Sequence, residues 1–292
     1  MTRHKIISKI LFFSLFLSLI GCKAPEKDYS LFEKAVAVGV NKNDKLEEAS
    51  GLIASQRNPD LLWTHNDSGN PAHIFLLDKE AKTQKTFKLS KIKNRDWEDI
   101  TIGAGPKENT SYLYIGDIGD NIGLYDIKYI YRLVEPAIDD DEKITEFDTL
   151  IVKLDDGSRD SETLMFDPAS KNLYIVSKRE SEVRLYEITH PFDGDTLVAT
   201  KKISIPLTYI NGGSISFDGK EVLLRNYDHI YYWKKKGDES IVELLKTPPV
   251  EIPYSREPQG ESIGWALDNS GFYTLSENAK GTRAKLFYYK RK

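Results

Sequence analysis

The sequence has few of the residues on which redox, thiol and imidazole chemistry depend. It contains one cysteine among 292 residues, Cys22, which excludes an internal disulfide, a Cys-x-x-Cys pair and a cysteine-rich zinc site. With five histidines in the chain, a Ser–His–Asp triad has few candidate members. A formal net charge of −4 argues against nucleic acid as a partner, because phosphate backbones are bound by basic surfaces.

The residues that are present favour a folded, strand-rich protein. Apolar residues make up 40% of the chain and charged residues 29%, which allows a sizeable core. Sixteen tyrosines and only two methionines are typical of β-structure. After the first 21 residues, no window of about 12 residues has a convincing helical period.

The N-terminus has the pattern of a secretory signal. The basic residues Arg3, Lys5 and Lys9 precede an apolar run over residues 10–20. This run is too short for a stable membrane span. Leu19-Ile20-Gly21-Cys22 then resembles the bacterial lipobox. We therefore predict a lipoprotein signal peptide over 1–21, lipidation of Cys22, and a lipid-anchored tether over 22–35. We therefore expect the protein in the bacterial cell envelope, lipid-anchored to a membrane, with the outer membrane favoured. The alternative is an ordinary signal peptide with an incidental cysteine.

An internal repeat follows. A small or acidic pair, an apolar strand, a turn and a second strand recur, with starts near Glu48, Glu98, Glu162, Ser214 and Glu261. Four short strands in a repeat of about 50 residues are typical of a β-propeller blade. The last repeat has room for three strands, and residues 36–40 can supply the fourth. The sequence thus predicts an all-β fold, a single propeller over 36–292 with five blades, closed between its N- and C-terminal strands. Six blades, or a β-sandwich, are the alternatives.

Blade geometry brings specific polar residues to one face, because the first strand starts where the second ends. First-strand starts contribute Glu48, Asp96, Glu98, Asp160, Glu162 and Glu261; second-strand ends contribute His65, Asn66, Asp67, Asp117, Asp120, Asn121, Lys178, Arg179, Arg225, Asn226 and Glu277. Carboxylates around a narrow axis repel one another unless a cation lies between them.

This face predicts a metal site. Oxygen ligands without cysteine suit Ca²⁺, and Mg²⁺ less well. The predicted metal ligands are Glu98, Asp117, Asn121, Glu162 and Glu261. The predicted ligand-binding residues, for a small anion, are Asp67, Lys178, Arg179 and Arg225. The alternative is that these acids cap strands or form ion pairs with the neighbouring lysine and arginines.

Five segments resemble a known group of proteins. Ser50-Gly51-Leu52, Leu62–Gly69, Asp96–Ile100, Gly116–Asn121 and Asp160–Leu164 resemble uncharacterised secreted bacterial β-propeller lipoproteins, and are distantly similar to phytase-like (esterase-like) and SdiA-regulated propellers. The phytase-like resemblance implies calcium and phosphate-ester chemistry. The gluconolactonase type of propeller implies one axial metal, which Glu98, Asn121 and Asn226 would hold here.

These observations support two main hypotheses about function. The first is a lipid-anchored envelope propeller that binds a divalent metal and an anionic ligand or an envelope protein. The second is a metal-dependent hydrolase of a phosphoester or lactone, in which Glu98 and Glu162 would be the catalytic residues. A third hypothesis is a structural role in an envelope complex. The propeller fold does not decide among the three, because propellers perform all of these functions.

Overall fold

The computed structural model describes residues 25–279 and 281–292, which form 22 strands and one short helix. The first strands are β1 (Glu26–Lys27), β2 (Val36–Val40), β3 (Ala49–Ala54), β4 (Leu61–Asn66), β5 (His73–Asp78), β6 (Thr83–Leu89), β7 (Trp97–Ala104), β8 (Ser111–Asp117), β9 (Lys128–Val134), β10 (Lys143–Ile144) and β11 (Asp148–Leu154). The remaining elements are β12 (Ser161–Phe166), β13 (Leu173–Ser177), β14 (Val183–Ile188), β15 (Leu197–Ile205), β16 (Gly212–Ile215), β17 (Glu221–Arg225), β18 (Ile230–Lys234), α1 (Ile241–Leu245), β19 (Val250–Ile252), β20 (Gly260–Trp265), β21 (Gly271–Ser276) and β22 (Lys285–Lys290).

The strands form five antiparallel blades of four strands each, as the repeat predicts. Blade 1 is β3–β6, blade 2 is β7, β8, β9 and β11, blade 3 is β12–β15, blade 4 is β16–β19, and blade 5 is β20–β22 with β2. The inner strands β3, β7, β12, β16 and β20 contact one another in a closed cycle. The long second repeat holds no sixth blade: its extra length carries β10, which pairs with β6 of blade 1.

Sequence explains why each blade folds back on itself at the same place. The turn between the first and second strands contains a residue with positive φ in every blade: Asp60, Asn109, Lys171, Gly219 and Asn269. Four of these five are Asp, Asn or Gly, the residues that adopt this conformation most readily. The inner strands, such as β3 and β12, are buried on both faces, whereas the outer strand β15 alternates between buried and exposed residues.

The two ends of the chain close the ring within blade 5. β2 pairs antiparallel with β22, with Val36 opposite Tyr288 and Val40 opposite Lys285. The predicted use of residues 36–40 as the missing fourth strand is confirmed. The ring is closed by the backbone hydrogen bonds between β2 and β22, so it opens only if these bonds break.

The propeller begins earlier than the predicted boundary at residue 36. β1 pairs in parallel with β19 of blade 4. Phe32 is 1% exposed and packs edge-on against Tyr232 and Phe272, with Arg291 over its ring at 5.1 Å. Residues from this segment, part of the predicted lipid-anchored tether over 22–35, therefore pack on blades 4 and 5. The signal peptide predicted over residues 1–21 and the predicted lipidation site Cys22 lie outside the described residues.

Apolar side chains fill the spaces between neighbouring blades and close one end of the axis. Phe217, next to the end of β16, packs against three of the five apolar clusters. It lines, with Ile53, Ile102 and Phe166, a cavity of about 100 Å³ where the first strands end. The opposite end, where the first strands begin, is polar.

No helix of the described residues is long and apolar enough to span a bilayer.

The docking of the N-terminal segment predicts a large effect of Phe32→Ala. Removing this buried ring should lower the free energy of unfolding by about 3 kcal/mol. Tyr29→Ala is the control, because Tyr29 is 53% exposed and three residues away. Chemical denaturation of both variants is the measurement. An unchanged midpoint for Phe32→Ala would show that residues 25–35 are a tether after all.

Candidate metal centre on the propeller axis

Three glutamates reach the axis by the same local device. The pairing of first and second strands shifts by one residue at Glu98 in blade 2, Glu162 in blade 3 and Glu261 in blade 5. Such a β-bulge takes the extra residue out of the ladder and redirects its side chain. Blade 1 has the same shift at Gly51, which offers no side chain, and the described β16–β17 pairing has no shift. The three carboxyl groups therefore converge from three blades.

The converging acids form three overlapping groups at the polar end of the axis. Within each group one carboxylate oxygen per residue lies within 4.8 Å of the others. The groups are Asp67, Asp96 and Glu98; Glu98, Asp160 and Glu162; and Asp67, Glu261 and Glu277. Glu98 and Asp67 each belong to two groups, so the acids are one continuous cluster, which we call the axial cluster.

Cations compensate one side of the axial cluster. Lys178, 7% exposed, places its Nζ 2.5 Å from Glu162 and 3.8 Å from Glu261. Tyr227 donates a hydrogen bond of 2.6 Å to Glu261. Arg179 pairs with Asp160 at 2.5 Å. The pKa of Lys178 is raised, because attraction by Glu162 and Glu261 outweighs its burial.

The other side of the axial cluster is compensated less: Asp96 is attracted by Lys128 and hydrogen-bonded by Ser68, but no ion pair of the described residues involves Asp67, Asp96 or Glu98. Glu98 is 3% exposed, and within the described part of the chain no donor is hydrogen-bonded to its carboxyl. Burial, followed by repulsion from Glu162, Asp67 and Asp96, holds the pKa of Glu98 well above its usual range. A buried carboxyl surrounded by other carboxyls must hold a proton or share a cation.

Burial also raises the pKa of other members of the cluster. It raises the pKa of Asp67 to about 7, with added repulsion from Glu261. It raises the pKa of Glu162 to about 8 although Lys178 opposes the shift. Burial and repulsion from Glu261 raise the pKa of Glu277 to about 7. Near neutral pH the axial cluster is therefore partly protonated when no cation is bound.

A glycine lets the loop after β8 cross directly over the axial cluster. A Cβ atom on Gly119 would lie 2.2 Å from Oε1 of Glu98 and 2.5 Å from Cγ of Asp96. The backbone N–H of Gly119 donates to the carbonyl of Asp96 at 3.2 Å. A side chain at this position would therefore displace two of the clustered carboxyls.

Other predicted site residues lie elsewhere. Asp117 is fully buried, but it pairs with Arg95 at 3.0 Å and belongs to none of the three carboxylate groups of the described residues. Asn121 is exposed and accepts a hydrogen bond from Arg179. The structure therefore does not bring the predicted metal ligands Asp117 and Asn121 to Glu98.

Arg225 has a role between blades rather than on the polar face. It is fully buried and donates to the carbonyl of Ser262 at 3.0 Å and to the hydroxyl of Tyr254 at 2.6 Å. Its guanidinium also lies 3.4 Å from the buried carboxylate of Glu257. The predicted contact of Arg225 with an anionic ligand would require this interface between blades 4 and 5 to open.

Sequence reasoning missed two buried acids that hold blades together. Glu257 pairs with Arg225, and Glu135 accepts hydrogen bonds from Ser55, Trp63 and Ser111. Neither acid lies at a repeat position, so nothing in the repeat marks them. Asp96, Asp160 and Glu277 were placed on the polar face by sequence, and the structure adds them to the axial cluster.

Fold and site together define a five-bladed β-propeller with a buried carboxylate cluster at one end of its axis. No protein-family model and no curated protein matches this chain. Among solved structures, the WD40 repeats of RRP9 are 12% identical, with a TM-score of 0.41 over 84% of this chain and 67% of that chain. The strand pairing, and not this likeness, defines the number of blades.

The raised pKa values predict that the metal-free protein loses stability as pH rises from 6.5 to 8.5. In the unfolded chain these carboxyls are already ionised, whereas Asp67, Glu162 and Glu277 release protons from the folded state near pH 7–8. The folded state then binds more protons, so the free energy of unfolding should fall by on the order of 2 kcal/mol. His65, whose pKa burial lowers to about 4, opposes this trend slightly near pH 6.5, where the unfolded imidazole is roughly half protonated and the folded one is neutral.

Thermal unfolding in EDTA across this pH range is the measurement. A melting temperature that rises toward pH 8.5 would contradict the prediction, because it would mean that the carboxyls are stabilised as anions.

Proposed function

We propose that the axial cluster binds one divalent metal ion, with Ca²⁺ preferred over Mg²⁺. The observation that carries this proposal is Glu98: a buried carboxyl with acidic neighbours and no donor or cation among the described residues. Carboxylate oxygens from Asp67, Asp96 and Glu98 offer hard ligands of the kind that Ca²⁺ takes. With His65 turned to the backbone carbonyl of Asn66, imidazole is not part of the set.

Charge distribution favours one half of the axial cluster for the ion. Lys178 occupies the side near Glu162 and Glu261, where a second cation would be repelled. Among the described residues no lysine or arginine forms an ion pair with Asp67, Asp96 or Glu98; Lys128 attracts Asp96, but its ion pair is with Asp120 at 2.9 Å. We therefore place the ion between blades 1 and 2, with Glu162 and Lys178 beside it.

Binding there would leave coordination positions for a ligand. Ca²⁺ takes about six to eight oxygen ligands, more than three carboxyl groups supply when each binds through one oxygen. Arg179, whose side chain is 44% exposed, lies at the rim next to Asp160. An anionic ligand could then contact both the ion and Arg179. We propose that the protein is a lipid-anchored envelope propeller that holds such a ligand, or an anionic group of an envelope protein, at this site.

One feature favours hydrolysis as the second candidate function. Because their pKa values are raised, Glu98 and Glu162 are stronger bases in their ionised forms than an exposed carboxylate, so either could accept a proton from a water molecule once it is ionised. A bound Ca²⁺ would supply polarisation of a phosphoester or lactone oxygen. Lys178, within reach of Glu162, would stabilise the carboxylate between proton transfers.

Glu98→Gln tests the metal site. The amide removes a buried acid from its acidic neighbours, so the variant in EDTA at pH 8 should be more stable by about 1–2 kcal/mol. Because a ligand is lost, its Ca²⁺ affinity should fall at least about tenfold, or about 1.4 kcal/mol. Glu142→Gln is the matched control: it makes the same chemical change at an exposed side chain on the outer edge of blade 1.

Isothermal titration with CaCl₂ and thermal unfolding with and without EDTA measure both effects. Equal Ca²⁺ binding by Glu98→Gln and wild type would refute the site. A destabilised Glu98→Gln in EDTA would instead show that Glu98 is a structural cap.

The hydrolase alternative makes a separate prediction. If it is correct, wild type with Ca²⁺ should turn over p-nitrophenyl phosphate or a simple aliphatic lactone, and Glu162→Gln should reduce kcat by about a hundredfold or more. Glu142→Gln should retain full activity. Calcium binding without turnover of either substrate class would leave the binding function and reject hydrolysis of these substrates.

A further inference from the structure

The outer edge of blade 5 differs from the other blade edges. β10 lies along part of β6, the outer strands β11 and β15 pair with each other, and β1 covers β19. β2 pairs with β22 on one side only. Within residues 25–279 and 281–292, no backbone hydrogen bond is formed at its other edge. β2 therefore presents free backbone donors and acceptors.

The side chains of β2 give this edge little protection. β2 reads Val-Ala-Val-Gly-Val and has no charged residue or proline, two of the usual devices that prevent pairing; the device it does have is a β-bulge at Val38 in its pairing with β22. Val36 is 57% exposed and Val40 is 38% exposed. By contrast, the uncovered parts of β6 and β15 contain Lys85, Lys201 and Lys202. Open backbone groups on an apolar strand are a template for another extended chain.

An apolar cleft adjoins β2. Val38 forms part of its wall, and Leu61, Leu267, Tyr273 and Tyr288 form much of the rest. The cleft lies between blades 5 and 1 and has a volume of about 520 Å³. Leu267 is 42% exposed there. A strand paired with β2 would therefore lie beside a space that can take one of its apolar side chains.

Charges at both ends of β2 indicate what kind of chain fits. Lys34 and Lys42 are exposed two residues before and two residues after the strand. The nearest acids on the same segment are already paired, Glu33 with Lys290 at 4.0 Å and Asp44 with Arg283. Glu80, whose backbone packs on Gly39, has its carboxylate 3.6 Å from Lys82. A matching chain would have acidic residues flanking an apolar centre.

The same lysines disfavour a second copy of this protein. In an antiparallel pair of β2 strands that overlaps all five residues, Lys34 of one copy would lie opposite Lys42 of the other. Directly opposed like charges destabilise a strand pair.

We propose that β2 is a docking edge for another protein. An extended segment of that partner, apolar in its centre and acidic at both ends, adds to blade 5 as a further strand and inserts an apolar side chain beside Val38. This site lies on the outer edge of the ring and does not depend on the axial cluster or on a metal.

A designed peptide tests the proposal with the full chain. The probe is a fluorescent Asp-Thr-Val-Thr-Val-Thr-Val-Thr-Asp peptide with blocked ends, whose aspartates lie opposite Lys34 and Lys42 when its three valines lie opposite Val36, Val38 and Val40. Its partner probe has lysine in place of both aspartates. The acidic peptide should bind and slow hydrogen exchange of the β2 amides, and the basic peptide should bind at least about tenfold more weakly. The double variant Lys34→Glu/Lys42→Glu should reverse this preference, because both lysines are exposed and their replacement leaves the fold intact.

Matched variants separate the edge from general charge effects. Lys93→Glu/Lys153→Glu changes the same number of exposed lysines away from β2 and should keep the wild-type preference. Val36→Asn, which removes an exposed apolar side chain of β2 without changing its charge, should weaken binding of both peptides without a change in melting temperature. The proposal is overturned if the acidic peptide at millimolar concentration leaves exchange at residues 36–40 unchanged. Concentration-dependent protection of those amides without any peptide would overturn it in favour of a second copy.

Discussion

Closure of the ring is the constraint on which the rest of this structure depends. Five blades meet around an axis only because β2, from the start of the chain, completes the blade that contains its end. Closure brings β20 against β3, and so brings acids from blades 1 and 5 within reach of those from blades 2 and 3. Phe32 adds a second attachment of the N-terminal segment, between blades 4 and 5. The site is thus a consequence of long-range pairing, and no blade forms it alone.

The two ends of the axis differ in the chemistry of the side chains that converge on it. Where the first strands end, apolar side chains around Phe217 line the axis and leave a cavity of about 100 Å³. Where they begin, bulges direct carboxylates at each other, and Lys178 neutralises only part of them. Unpaired buried charge is costly, and proteins keep it mainly at functional positions. The less compensated side around Glu98 is therefore where function is best sought.

Two other groups of buried charge have a different purpose. Arg225 and Glu257 pair between blades 4 and 5, and Glu135 collects donors from blade 1 and from its own blade. In both places the acid has a cation or several donors, as a structural acid requires. Glu98 has neither among the described residues, although all three acids are buried. Burial alone therefore does not distinguish a structural carboxylate from a ligand; its partners do.

The local sequence was sufficient to predict the strands, the turns, five blades and the closing strand at residues 36–40. These follow from apolar patterning and turn residues that act over a few positions. It also placed Glu98, Glu162 and Glu261 on one face, because the repeat preserves their position before the first strand. Tertiary structure alone decided which polar residues meet. The bulges direct the three glutamates toward the axis. Asp117 forms an ion pair with Arg95, and Arg225 forms one with Glu257, so neither is available for the predicted site. Such partners come from distant parts of the chain, and their distances are set by how the blades pack.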